Sequence, residues 1–289
     1  MKKIIIRTPN FIGDTINTTP CLELIKQEYP EAEFTIVGPD FVRELRKENG
    51  ELGVIFVNTF ISALLFRLGN VKKNIGYNRE GRGFLLDFSP EINYHKHYIN
   101  RYAFLFNEYI GNKYVYLPEL SLRYTGQKTF QFDNSHKTIA LYLGGENKEF
   151  RKYPDEYAVQ LLRLLNRQGY NLLLIGDEND NIKHTQYAEE ARIDHLINLT
   201  ARTTIEGFIN TIANVDLIIT IDSSALHIAA AVKTPFIALM GLSTSPTSTI
   251  LPKVPLGRIL KIENNLIREE DYIRNITPDL ILKTISELI

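Results

Sequence analysis

The 289-residue sequence predicts an α/β protein built as two doubly wound parallel-sheet halves facing one another. Short apolar runs alternate with stretches of helical period along nearly the whole chain. The alternation lapses once, between Tyr124 and Lys137 (YTGQKTFQFDNSHK), and then restarts. The length suits two domains of about 150 residues each. The lapse sets an N-terminal domain at residues 1–133 and a C-terminal domain at 134–289, whose last helix can pack back toward the first half.

In the first half, Ile4–Ile6 is a short buried strand, followed by the turn-rich Thr8-Pro9-Asn10 and a helical pattern from Thr15 to about Glu28. Phe34–Val37, closed by Gly38-Pro39, and Val54–Val57 are further strands. Ser62–Leu68 and the aromatic-rich Ile99–Ile110 read as helices. In the second half, Ile139–Leu143 is a strand, Pro154–Gln168 a helix capped by Gly169, and Leu172–Ile175 a strand ended by Gly176. Helices at Asn181–Ala191 and Ile205–Ala213 precede the strongly apolar strand Leu217–Ile221. A helix at Ser224–Val232 leads to the strand Phe236–Met240, stopped by Gly241. Thr277-Pro278, an N-cap followed by proline, opens the last helix, Asp279–Leu288.

Composition excludes several classes. Thirty-three Lys and Arg against 34 Asp and Glu argue against a bulk polyanion binder, so no nucleic-acid partner is expected. The single Cys21 excludes an internal disulfide framework and any Cys-rich metal site. The N-terminus has only three apolar residues before Arg7, too few for a secretory signal, and no run reaches the roughly 18 apolar residues of a membrane span. A soluble, cytoplasmic protein is expected.

Ligands of doubly wound sheets bind at the carboxyl ends of strands, so the loops after strands carry the chemistry. After the first strand, only Gly13 of a GxGxxG dinucleotide fingerprint is present, which disfavours a nicotinamide enzyme. Asp14 stands at a helix N-terminus, where it serves either as a cap or as a base taking a proton from an acceptor hydroxyl. The loop from Gly144-Gly145 to Pro154 combines glycines with Lys148, Arg151 and Lys152 before a helix start, which suits a diphosphate or simply a solvated charged loop. Asp222-Ser223-Ser224-Ala225-Leu226-His227 follows the most apolar strand; small hydroxyl residues there leave backbone N–H groups and a positive dipole end for phosphate. Asp222 as a cap and His227 as a core histidine are the plainer readings. Gly176–Asp180 offers a carboxylate to a ribose diol or merely starts a helix. No Asp-x-Asp pair supports a metal-clamped diphosphate, and His95-x-His97 is as easily surface.

These segments, in this order, resemble glycosyltransferase family 9, the heptosyltransferases of the lipopolysaccharide inner core. Gly13-Asp14, Lys152-Tyr153-Pro154, Asp222 to His227 with Ala229-Ala230-Ala231, and the distal Pro235, Gly241 and Pro246 carry the resemblance. Ile75-Gly76-Tyr77 with Glu80-Gly81-Arg82-Gly83-Phe84-Leu85-Leu86 looks like the heptosyltransferase II branch. The similarity spans most of the chain. It departs at Ser224, where the family usually has glycine, and before Val54, where the N-terminal domain is shortened.

The resemblance implies a GT-B fold: two Rossmann-like domains about a cleft, acceptor on the first and donor on the second. It implies an inverting, metal-independent transfer without cofactor, from ADP-heptose to the lipid A-Kdo inner core. Asp14 would be the catalytic base. Lys152, Asp180, Asp222, Ser223, Ser224 and His227 would bind the donor, with Asp180 on the ribose. The stretch Arg67–Arg101 holds seven Lys or Arg against three acids, which fits an anionic glycolipid acceptor and peripheral contact with the cytoplasmic face of an inner membrane. Arg79 and Arg82, flanked by glycines, are the expected acceptor contacts. A family-9-like transferase using another nucleotide hexose, and a nucleotide-sugar binding protein without catalysis, are the alternatives.

Overall fold

The computed structural model describes residues 2–38, 49–132, 135–242, 247–252, 254–263 and 268–289. The chain divides into two compact units, Met1–Ser121 with Ser248–Ile250, and Leu122–Thr247 with Leu251–Ile289. The expected division after residue 133, and the prolines Pro39 and Pro246, lie outside the described residues.

The first unit holds a parallel sheet of β1 (Lys3–Arg7), β2 (Glu33–Val37), β3 (Leu52–Ile55) and β4 (Lys73–Gly76), in the order β2-β1-β3-β4. The order reverses between β1 and β3, so a crevice opens at their carboxyl ends. Arg7, the last residue of β1, pairs with Val37 on one side and Ile55 on the other. Around the sheet lie α1 (Ile12–Asn17), α2 (Thr19–Glu28), α3 (Phe60–Leu68) and α4 (Tyr98–Tyr109). Successive strand residues face opposite sides. Ile4, Ile6, Val54 and Ile75 pack with Leu24, Ile25, Ala103 and Phe106 of α2 and α4. Ile5 and Ile55 pack with Ala63 and Phe66 of α3.

The helix expected from Thr15 to Glu28 is two helices. Pro20 has no N–H to continue the ladder and its ring crowds the preceding turn, so α1 closes at Thr18, which is also the N-cap of α2. The strand β4, Lys-Asn-Ile-Gly, has no apolar run to announce it; pairing with β3 defines it instead.

The second unit holds β5 (Thr138–Tyr142), β6 (Asn171–Leu174), β7 (Ile197–Asn198), β8 (Leu217–Ile221), β9 (Phe236–Leu239) and β10 (Gly257–Leu260). All pair in parallel in the order β10-β9-β8-β5-β6-β7, that of a doubly wound nucleotide-binding sheet whose switch point lies between β5 and β8. Its helices are α5 (Asp155–Arg167), α6 (Asn181–Ala191), α7 (Ile205–Ala213), α8 (Ser224–Val232) and α9 (Pro278–Ile285). Strands β5, β6, β8 and β9 are buried throughout, which is why they read as continuous apolar runs. Gly169 takes φ +81° beyond α5, and the Thr277 side chain accepts from Leu280 N–H, with Pro278 in the first turn of α9. The last helix packs on α5 and β9, within the second unit. The edge strands β7 and β10 escape sequence reading because one is two residues long and the other is largely exposed.

Beneath the carboxyl end of this sheet His184 of α6 is fully buried, its Nδ1 2.8 Å from the Thr200 hydroxyl and its ring edge-on to Tyr142. Burial pushes the imidazole down to about 4 from 6.5, so it is neutral in the native state. As pH falls from 6.5 toward 4, the unfolded chain takes up a proton that the native state refuses, and stability is lost across that window. Urea unfolding over this range is expected to show a contribution of up to about 1.4 kcal/mol per pH unit that His184→Gln removes; equal pH slopes for both proteins would contradict it.

Candidate active site

The first unit's crevice is built on the β1–α1 loop. Buried Arg7 donates to the Thr8 carbonyl and, at 2.7 Å, to Asn10 Oδ1, while Thr8 N–H bonds Val37 O at 3.2 Å. The loop is therefore pinned to the end of β2. Phe11, with extended backbone, occupies the N-cap of α1 and makes no side-chain cap bond. Asp14 is the third residue of the helix, half-buried in its first turn. It is not the cap, and the dipole of α1 favours its ionised form. Burial, and then the Asp14 charge, hold the Tyr102 phenol far above its ordinary value, and α1 packs on α4, the helix that carries Tyr102. Tyr102 in turn stacks edge-on against Phe56, 5.3 Å away, at the end of β3.

Arg79 is exposed, its guanidinium 5.7 Å from the Tyr94 ring centroid. Arg82 is different: it is 0% exposed. Its Nε donates to Tyr77 O at 2.9 Å, Nη1 to Val57 O and to Thr59 O at 3.2 Å, and Nη2 to Asn58 Oδ1 at 3.0 Å. Burial lowers this guanidinium to about 10. Arg82 thus shapes the loop after β3 from beneath. Of the two histidines in His95-x-His97, His97 is buried and accepts from Ile99 N–H at 3.3 Å as the N-cap of α4. Cys21 is buried, and burial raises its thiol.

In the second unit, β5 ends in Gly144-Gly145. Gly144 has φ +83°, and a Cβ on Gly145 would stand 2.3 Å from Asn179 O. A 3-10 turn, Glu146–Arg151, follows, and Tyr153 anchors its end: the ring is buried, N–H bonds Leu143 O at 2.9 Å, and the hydroxyl donates to Ile276 O at 2.8 Å. Gly241 after β9 presses on the same turn, since a Cβ there would meet Phe150 O at 2.7 Å. The three cations of this loop then separate. Lys148 Nζ bonds Asp177 Oδ2 at 3.0 Å. Lys152 pairs with Asp155 at 2.9 Å, which also takes Lys183 at 2.8 Å and the Tyr187 hydroxyl at 2.6 Å. Burial opposes that carboxylate's charge, but these three donors outweigh it and hold Asp155 down at about 2. Arg151 points across the switch point, with Nη1 3.4 Å from Asp222 O.

Asp222 follows β8 and is buried at 9% exposure. Ser223 is the N-cap of α8: its Oγ accepts from Ala225 N–H at 3.2 Å and lies 3.0 Å from Thr220 Oγ1. Ser224 is the first residue of α8, and buried His227 follows one turn on. These four residues do come together with the Gly144–Arg151 loop through Arg151. Asp180 does not join them. It is 0% exposed, its Oδ2 accepts from Asp177 N–H at 2.9 Å in a capping box, and burial pushes its carboxyl above the usual carboxylate range. The exposed carboxylates of that turn are Asp177 and Glu178. Arg151 was legible as one of three clustered cations; which one faces the helix follows only from the turn's geometry. Among the described residues no group of three or more His, Cys, Asp or Glu is arranged to hold a metal ion.

Comparison with known proteins places heptosyltransferases among those that share this geometry. An Escherichia coli ADP-heptose lipopolysaccharide heptosyltransferase II superposes with a TM-score of 0.85 at 20% identity, over 100% of this chain and 98% of the other. A second E. coli heptosyltransferase, solved with ADP-2-deoxy-2-fluoro heptose, gives 0.77 at 16% identity over 99% of each chain. The lipooligosaccharide heptosyltransferase 2 of Haemophilus influenzae is 24% identical over 343 aligned positions, which cover 99% of each sequence. The fold is that of the GT-B glycosyltransferases. The profile of glycosyltransferase family 9 (heptosyltransferase) matches residues 40–270, and the chain belongs to that family. It is a transferase enzyme.

Arg82 is the least replaceable side chain of the first unit on this account. Arg82→Met is expected to lower stability by about 3 kcal/mol or more, by orphaning buried carbonyls, and Arg82→Lys to recover little, because one ammonium cannot span the same acceptors. Urea unfolding of the two variants measures this, and a loss below about 1 kcal/mol would contradict it.

Proposed function

We propose that the protein transfers heptose from ADP-L-glycero-D-manno-heptose to the lipid A-Kdo inner core of lipopolysaccharide, by an inverting and metal-independent route. The reading is supported by the similarity to heptosyltransferase II proteins and to a heptosyltransferase holding an ADP-heptose analogue. The observation that carries the donor half is Arg151 reaching the Asp222 loop at the N-terminus of α8, at the strand-order switch point. There a diphosphate meets a guanidinium, the first turn of the helix and its dipole together.

The chemistry follows from charge. The acceptor hydroxyl oxygen attacks the anomeric carbon from the face opposite the diphosphate, and its proton passes to the Asp14 carboxylate. The bond from the anomeric carbon to the diphosphate oxygen breaks, and that oxygen keeps the electron pair. Negative charge therefore grows on the nucleoside diphosphate, where Arg151 and the α8 N–H groups stabilise it. Ser223 and Ser224 add hydroxyls, and Asp222 and His227 hold the sugar and phosphates. The ribose diol meets the exposed carboxylates of the Asp177–Asp180 turn. Arg79 contacts the anionic acceptor, and Arg82 shapes the loop beneath it. No helix among the described residues is long and apolar enough to cross a membrane; the lipid acceptor places the enzyme's work at the cytoplasmic face of the inner membrane.

A mass-spectrometric transfer assay with a panel of nucleotide sugars and core acceptors tests the reaction. Product with ADP-heptose and a Kdo-bearing acceptor is expected; product only with another sugar nucleotide, or none at all, overturns the assignment. Asp14→Asn is expected to lower kcat by roughly 10²–10⁴ with donor affinity unchanged, and wild-type turnover would remove Asp14 from the base role. Arg151→Ala is expected to lower kcat/KM for the donor by about 10², against a few-fold for Lys152→Ala. Steady-state kinetics on both variants measures the contrast, and the reverse ranking would return the diphosphate contact to Lys152.

A further inference from the structure

Helix α1 opens on a residue that helix starts disfavour. The N-cap position ordinarily takes Ser, Thr, Asp or Asn, whose side-chain oxygen bonds the N–H of the second or third helical residue. Here it is Phe11, extended (φ −98°, ψ 142°) and without a side-chain cap bond. Burial does not compensate, since Phe11 is 76% exposed and Ile12 beside it 40%. The Phe11 backbone is nonetheless fixed on both sides. Its carbonyl accepts from Thr15 N–H at 2.9 Å, Thr15 Oγ1 donates to Pro9 O at 3.2 Å, and Arg7 Nη2 holds Asn10 Oδ1 at 2.7 Å. A lone exposed apolar side chain is ordinary on a surface. This one stands on a rigid mount, in place of a cap, at the strand ends where doubly wound sheets take their ligands. A local rule broken at such a place marks a functional position.

The neighbours of the ring select what it meets. Asp14 is the third residue of the same helix, and residues three apart in a helix stand about 5–6 Å apart at Cβ. A sugar whose hydroxyl gives its proton to Asp14 is therefore within reach of Phe11. The axial C–H groups of a pyranose make one of its faces apolar, and that face lies flat on a phenyl ring, whose π face is the negative end of its quadrupole. Asn10, exposed, gives its Oδ1 to Arg7, which leaves its amide N–H groups for a sugar hydroxyl. An aromatic face beside an amide donor suits a carbohydrate. An acyl chain has no use for that donor, and a second copy of the chain needs a broader apolar area than Phe11 and Ile12 offer.

We propose that Phe11 is a specificity-determining platform for the acceptor, its ring stacking on the sugar that presents a hydroxyl to Asp14. This rests on the transfer reaction above, and its test separates the two. The sequence contains no tryptophan, so Phe11→Trp places the protein's single indole at this position. Its emission is expected to move to shorter wavelength on titration with a deacylated, Kdo-bearing core oligosaccharide and to stay unmoved with ADP. With the same acceptor, Phe11→Ser is expected to raise the acceptor KM about tenfold and leave the donor KM unchanged. The thermal midpoint of Phe11→Ser is expected to rise by about 2–4 °C, because serine caps α1. Phe11→Tyr keeps the wild-type acceptor KM, whereas Phe11→Leu, apolar but without a π face, does not. Transfer by Phe11→Trp with unmoved emission, a shift with ADP alone, or a wild-type acceptor KM in Phe11→Leu would each overturn the platform. Emission that moves with the saccharide while the wild type makes no product sinks the reaction and keeps the platform; neither shift nor product overturns both.

Discussion

The second unit depends on one close approach: the Gly144-Gly145 turn against the loop that follows β6. With the Asn179 carbonyl 2.3 Å from where a Cβ would stand, only glycine fits at Gly145. That approach brings the end of β5 onto the end of β6 and fixes where the 3-10 turn Glu146–Arg151 begins. Tyr153 and Gly241 hold the other end of the turn. Between these fixed points the turn brings Arg151 Nη1 to 3.4 Å from the Asp222 carbonyl, just before α8. Lys148 is drawn sideways to Asp177, and Lys152 faces Asp155. Arg151 is left spanning the switch point. Backbone packing, more than the local charge pattern, decides which side chain faces the Asp222 loop.

The first unit solves a similar problem with buried guanidinium groups. Arg7 braces the loop after β1, and Arg82 braces the loop after β3. Each loop is irregular backbone at a crevice, with carbonyls that the sheet cannot satisfy. A planar fork with several donors answers several carbonyls at once. Asp14 is then carried on a helix whose start is set by the pinned loop rather than by a cap of its own.

Much of the fold was legible because the strands β5, β6, β8 and β9 are covered on both faces and must be apolar throughout. Two helices with a capping residue were legible closely, Ser224–Val232 after Ser223 and Ile205–Ala213 after Thr204, while the last helix, capped by Thr277, ends at Ile285 and not at Leu288. Part of what escaped lacked such signals. The strand β4 has one large apolar residue and takes its form from β3, while the break at Thr18 was announced by Pro20 and passed over in favour of the continuous apolar period. At the site, the Asp222–His227 loop was readable from its small polar residues after a buried strand. The burial of Arg82 and Asp180 was not, since a sequence shows that a charge is present but not whether the fold turns it inward. Arg82 and Asp180 are both fully buried, and only the folded backbone shows this.

The arrangement's central claim is that the donor diphosphate sits between Arg151 and the first turn of α8. A crystal structure of the protein with bound ADP measures this directly. The account predicts phosphate oxygens within hydrogen-bond distance of the Arg151 guanidinium and the N–H groups that open α8. Phosphates held instead by Lys152, or lying away from the Asp222–Ser224 loop, would contradict it.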